Sequence, residues 1–195
     1  MLKNSLLIIM LFLSVHVYAE TDDWASYGKD SGGGHYSKAR DITPENVHLM
    51  EQAWVHRSGD YQSGANTRGK IANEIQTSFQ ATPLLVDETL YYCTPYNRVF
   101  ALNPETGEEK WVFDPDLDPA GRPLKTCRGI SSWKDKNKNE DDVCYHRLIG
   151  VTMDVDLFSI DAKTGKLCED FGDNGKVGLR TVSYTHLTLP TIYSV

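Results

Sequence analysis

Short apolar runs alternate along the chain with polar clusters rich in Gly, Asn, Asp and Pro. Residues 81–86, 89–94, 147–152 and 155–160 are enriched in β-branched and aromatic types and bounded by turn formers, so each predicts a strand. Helical spacing is confined to residues 44–50, where Thr43 stands ready to cap one short helix. The pattern predicts an all-β fold.

A repeat organises these strands. Val-Phe-Ala-Leu-Asn-Pro-Glu-Thr-Gly at 99–107 returns 58 positions later as Leu-Phe-Ser-Ile-Asp-Ala-Lys-Thr-Gly at 157–165. Each copy is a β-rich run, then Asn103 or Asp161, then a turn closed by Gly107 or Gly165. The first copy continues into a second strand at 109–113, and residues 51–55 resemble that strand, with Trp54 placed 57 positions before Trp111. Hairpins recurring at tens of residues predict a solenoid or propeller, in which each unit buries its face against its neighbours. Trp54 and Trp111 are expected to pack between such units.

Residues 1–19 have the form of a secretory signal. Lys3 supplies the positive start, the stretch 6–17 is almost wholly apolar, and Val17-Tyr18-Ala19 precedes a cut at Glu20. An apolar run of about 12 residues is too short for a hydrocarbon core of about 30 Å. No Cys follows the cut to carry a lipid, so a soluble, periplasmic protein is expected. The net charge of -7 and pI near 5.3 argue against a surface that neutralises phosphates, which excludes nucleic acid as the expected partner.

Export places Cys93, Cys127, Cys144 and Cys168 in an oxidising compartment. Four cysteines allow three pairings, and sequence does not choose among them. Cys127 and Cys144 bracket a polar insertion and are the expected pair, loop closure being worth roughly 3 kcal/mol. That insertion begins like a calcium loop at Asp135, but Glu140 stands where the turn needs Gly and His146 where a bidentate Glu is required. It reads as a solvated loop. Gly32-Gly33-Gly34 lacks the Lys-Ser or Lys-Thr of a phosphate cradle and reads as a turn; the six His form no cluster, so no metal ligand is assigned.

Four stretches together resemble the membrane-type quinoprotein glucose dehydrogenases and related pyrroloquinoline quinone (PQQ) dependent dehydrogenases. They are Asp23-Trp24-Ala25-Ser26-Tyr27-Gly28 with His35-Tyr36-Ser37; Phe79-Gln80-Ala81-Thr82-Pro83 leading to Cys93-Thr94-Pro95-Tyr96-Asn97-Arg98-Val99; Thr126-Cys127-Arg128-Gly129; and the Asp161-to-Gly165 turn ending in Lys166-Leu167-Cys168. The resemblance runs from about Asp23 to Thr181 and implies the first blades of an eight-bladed β-propeller, with PQQ and Ca²⁺ near its axis. It further implies oxidation of a glucose-like sugar or an alcohol, with electrons passed to a quinone or cytochrome. At about 40 residues per four-stranded blade, residues 20–181 supply at most about four blades. Residues 182–195 do not resemble the family's continuation.

By the same resemblance, Gln80 stands where relatives place a Glu or Gln that contacts the cofactor, and a neutral amide there can both donate and accept. Arg128 matches an arginine that reaches the reactive quinone oxygens, where a permanently charged fork of donors favours developing negative charge. Gly129 lets backbone come close. Leu124-Lys125 replaces the His, or the vicinal disulfide, with which some relatives cover one cofactor face. The catalytic base, the Ca²⁺ ligands and a stacking Trp are implied in later blades, so no catalytic residue is assigned within this chain. The repeat alone also fits a non-catalytic propeller scaffold, and Arg128, Gln80 and the absent lipidation Cys favour the enzyme.

Overall fold

The structure is a computed structural model that describes residues 23–30, 32–60, 76–118 and 124–179. The expected signal segment 1–19 and the stretch 182–195 lie outside the described residues. Ten strands follow a 3-10 turn at Val47–Leu49: β1 (Gln76–Phe79), β2 (Leu84–Val86), β3 (Thr89–Cys93), β4 (Val99–Leu102), β5 (Glu109–Phe113), β6 (Leu124–Cys127), β7 (Ser131–Lys134), β8 (His146–Val151), β9 (Asp156–Asp161) and β10 (Lys176–Gly178). Two four-stranded antiparallel meanders, β2 to β5 and β7 to β10, form successive blades. The strands read at 84–93 and 146–161 are present, and the all-β, partial-propeller reading holds.

Local chemistry sets the hairpins. β2 and β3 are joined by Asp87 and Glu88 alone, with φ of 48° and 54°, the two-residue turn whose twist matches paired strands. In the repeated turn, Asn103 Oδ1 accepts the N–H groups of Glu105 (2.8 Å) and Thr106 (3.2 Å), and Asp161 Oδ1 accepts those of Lys163 (3.0 Å) and Thr164 (2.9 Å). The closing glycines, 58 positions apart, have φ of 73° and 71°. The residue that differs between the copies has its own reason: Asp161 Oδ2 also accepts the buried Cys144 N–H at 2.7 Å.

The blades are joined by a latch that the repeat specifies. The Trp111 indole of β5 lies on Gly165, so close that a Cβ there would sit 2.6 Å from the ring, and its Nε1 donates to the Ala162 carbonyl at 3.1 Å. Trp54 makes the same arrangement on Gly107, a Cβ there again falling at 2.6 Å, with Nε1 donating to the Pro104 carbonyl at 3.0 Å. The stretch 51–55 forms no strand, yet its Trp lands where the repeat puts it. Tyr91 also donates to Ala162 O at 3.2 Å, and burial pushes its phenol up to about 12, which keeps it a donor. Around this contact Val86, Tyr91, Val99 and Phe113 of one blade and Leu148, Phe158 and Ile160 of the other form one core. Gly150 leaves room for the Phe158 ring opposite, which packs 5.1 Å from Phe113.

The expected disulfide between Cys127 and Cys144 does not form. The bonds are Cys93–Cys127 and Cys144–Cys168, with Cα separations of 6.0 and 5.9 Å. Register explains the correction. Cys127 precedes the Ser131 end of the β7–β8 ladder and Cys144 lies beyond its Lys134–His146 end, so the length of a four-residue strand, about 10–13 Å, separates them. A disulfide reaches only about 7 Å between Cα atoms. The helix expected at 44–50 shrinks to Val47–Leu49. Thr43 acts through its backbone, its carbonyl accepting the Asn46 and Val47 N–H groups while Asn46 Oδ1 accepts the Thr43 N–H.

His146 adds a titratable element to the blade junction. It is buried, with Nε2 2.8 Å from Ser132 Oγ and Nδ1 3.4 Å from the Asp87 carboxylate of the other blade, which also receives Lys134 at 2.8 Å. Burial lowers its pKa below the ordinary 6.5 and Lys134 acts the same way, outweighing the attraction of Asp87, Asp161 and Asp23. The folded state therefore favours the neutral ring, and its contribution is complete above about pH 6.5 and declines as acid protonates the unfolded chain first. Urea midpoints between pH 5 and 7 should rise with pH, and His146→Gln should flatten that rise. Trp111→Ala should destabilise the blades by about 3–5 kcal/mol, and Trp111→Phe, which keeps one aromatic ring but removes the donor and part of the indole, by less, about 1–3 kcal/mol, in the same denaturation assay.

Candidate functional site

Each blade is entered through a lead-in segment, and the two segments meet. β1 precedes β2 in the first blade and β6 precedes β7 in the second, and β1 and β6 pair in parallel from Gln76↔Leu124 to Phe79↔Cys127. Gln80 and Arg128 follow the last pair directly and stand side by side. The Thr82 N–H donates to the Arg128 carbonyl at 3.2 Å, extending the contact beyond the ladder. Two residues 48 positions apart in sequence are thus brought together by strand register.

Period-two alternation sorts the side chains of this pair. Ser78, Gln80, Thr126 and Arg128 share one face; Thr77, Phe79, Lys125 and Cys127 share the other. On the first face Gln80 and Arg128 are exposed. Gln80 Nε2 donates to Ser78 Oγ at 3.0 Å, leaving its amide oxygen outward. The Arg128 guanidinium has no hydrogen bond or ion pair among the described residues. Thr126 Oγ1 is buried without a partner, and a Cβ on Gly129 would meet nothing within 4 Å. The free donors of Arg128 and the open backbone at Gly129 suit an anionic ligand rich in oxygen acceptors.

On the opposite face Phe79 is exposed, while Lys125 and Cys127 are buried. Lys125 is fully buried, its ammonium 5.8 Å from the Tyr96 ring centroid, and burial, the largest influence, raises the Tyr96 pKa. Lys125 therefore does not cover the ligand face; three positions before Arg128, it falls on the other side of the pleat. Ser78 and Thr126 went unassigned by motif, but alternation from Gln80 and Arg128 would have found them. Oxygens of the 135–142 loop are engaged in local turns: Asp135 Oδ1 accepts the Asn137 N–H at 3.0 Å and Asp142 Oδ2 that of Asn139 at 2.7 Å. Cys144, Cys168 and Asp170 cluster, but the two sulfurs are joined in a disulfide and offer no thiolate to a metal.

The family described as "Glucose/ethanol/alcohol dehydrogenase, beta-propeller domain", of the PQQ group, matches residues 24–193. The chain belongs to this family. Among its relatives, quinoprotein glucose dehydrogenase of Escherichia coli (strain K12) is 37% identical over 164 residues, covering 82% of this chain and 20% of that protein. The glycerol dehydrogenase large subunit of Gluconobacter oxydans is 32% identical over 158 residues, 80% of this chain and 20% of that subunit. The structure of quinohemoprotein alcohol dehydrogenase from Comamonas testosteroni superimposes with a TM-score of 0.53 at 26% identity, over 76% of this chain and 19% of that one. The chain spans about a fifth of the length of these family members. Among the described residues no helix is long and apolar enough to cross a membrane.

Proposed function

We propose that the chain is the amino-terminal part of an exported PQQ-dependent dehydrogenase that oxidises a glucose-like sugar or an alcohol and passes electrons to a quinone or cytochrome. The observation that carries this reading is the juxtaposition of Gln80 and Arg128 at the end of the β1–β6 ladder, with the guanidinium exposed and unpaired among the described residues. The family and the relatives' names support the same assignment.

In this role PQQ supplies the two-electron acceptor. The chain's own residues bind and polarise it: Arg128 offers parallel N–H donors to anionic oxygens, Gln80 orients a carbonyl or carboxylate through an amide that can donate or accept, and Gly129 allows close approach. Ca²⁺ and its ligands, the catalytic base and a second stacking group are assigned to blades beyond this chain. Residues 1–19 are read as a leader cleaved after Ala19 into the periplasm, and the two disulfides support an oxidising compartment.

Two measurements test this reading. In the full-length dehydrogenase carrying this chain, Arg128→Ala should lower PQQ-dependent dye reduction about 100-fold; Arg128→Lys, which keeps charge but loses the fork, should fall between. Unchanged turnover in Arg128→Ala removes the proposed role. Mass spectrometry of the mature amino terminus should give Glu20, and a protein retaining residues 1–19 contradicts the leader.

A further inference from the structure

We infer that the Cys93–Cys127 disulfide is a positioning device for Arg128, fixing the strand end from which the guanidinium reaches PQQ and thereby setting cofactor affinity. The inference rests on the reading of Arg128 as a cofactor contact.

The distribution of restraint around Arg128 carries the argument. Its backbone is held on every side but one. Cys127, the residue before it, is paired to Phe79 in the ladder and bonded to Cys93, the last residue of β3, with both cysteines buried. The Arg128 carbonyl accepts the Thr82 N–H at 3.2 Å. Gly129 follows with open space around it, so side-chain packing at that position adds no restraint, and the hold must come from the Cys127 side. The side chain itself is exposed and makes no hydrogen bond or ion pair among the described residues.

Arg147 and Arg98 show the opposite pattern, while Arg40 and Arg57 are exposed and, like Arg128, make no hydrogen bond or ion pair among the described residues. Arg147 donates from Nη2 to Asp170 at 2.6 Å and from Nε to the Cys144 carbonyl at 3.0 Å, and Arg98 grips Asp60 with both Nε and Nη2. Their guanidinium groups tie the fold together. At Arg128 the main chain is fixed and the guanidinium is left for something else, the arrangement required of a preorganised ligand contact.

The ladder alone is a weak foundation for such a contact. A two-stranded parallel pair of four residues each has little independent stability. The disulfide connects its far end to β3, which lies inside a four-stranded blade between β2 and β4. The second disulfide, Cys144–Cys168, joins the start of β8 to the segment after β9 and touches neither lead-in strand. It serves as an internal control.

The test is a double-mutant cycle in the full-length dehydrogenase with Ca²⁺ present. PQQ dissociation constants are read from quenching of tryptophan fluorescence, beside thermal midpoints. Replacing Cys93→Val and Cys127→Val together should weaken PQQ binding about tenfold when Arg128 is present and add nothing once Arg128→Ala is made. The Cys144→Val, Cys168→Val pair should lower the thermal midpoint and leave PQQ affinity unchanged. Equal losses with and without Arg128, or no loss, overturn the proposal. Cys93→Ala with Cys127→Ala replaces the valines if these do not fit, and if neither pair gives folded protein the bond is required by the fold itself and the proposal falls. If Arg128→Ala alone leaves PQQ affinity unchanged, it is the reading of Arg128 as a cofactor contact that has failed.

Discussion

The indole of one blade resting on the turn glycine of the next is the contact on which the architecture depends. A blade is a four-stranded sheet with two faces, and neither can be left in water without exposing a continuous apolar surface. The Trp–Gly latch fixes how the sheets meet. It places an N–H donor on a carbonyl at the turn, so the junction has a register as well as an apolar area. The same Ala162 carbonyl also accepts Tyr91, which uses both lone pairs and joins the core of one blade to the rim of the other.

The candidate site is a by-product of that register. Once the blades are set side by side, their lead-in segments run together as β1 and β6, and two residues from distant motifs become neighbours. The fold positions Gln80 and Arg128 through main-chain hydrogen bonds, leaving their polar ends outward. The pleat also separates two roles carried by residues three positions apart: Arg128 is presented to solvent, while Lys125 is drawn inward against Tyr96.

Much of this was legible in the sequence because it is local or repeated. The turns at 103–107 and 161–165 are encoded by an Asx residue and a closing Gly, and the spacing of Trp54 and Trp111 carried the latch without knowledge of the strands around it. The disulfides were not legible, since their pairing is decided by which strand ends meet. The polar insertion between Cys127 and Cys144 suggested closure, but β7 runs outward between them and carries the cysteines to opposite ends of its ladder. The face shared by Ser78 and Thr126 with the motif residues was hidden for a similar reason, because β1 and β6 are too short and too polar to announce themselves as strands. The stretch at 44–50 failed as a helix because local backbone and Asn46 side-chain bonds close a turn there instead.

The direction of the latch bears on how such a chain can be made. Trp54 and Trp111 bond to carbonyls 50 and 51 residues further on. During synthesis from the amino terminus, β2 to β5 are complete well before the turn that clasps Trp111 exists. The finished sheet must wait, indole uncovered, for the length of another blade to arrive. Order of emergence therefore becomes part of the folding problem, and this blade spends an interval as an exposed surface that a chaperone can recognise.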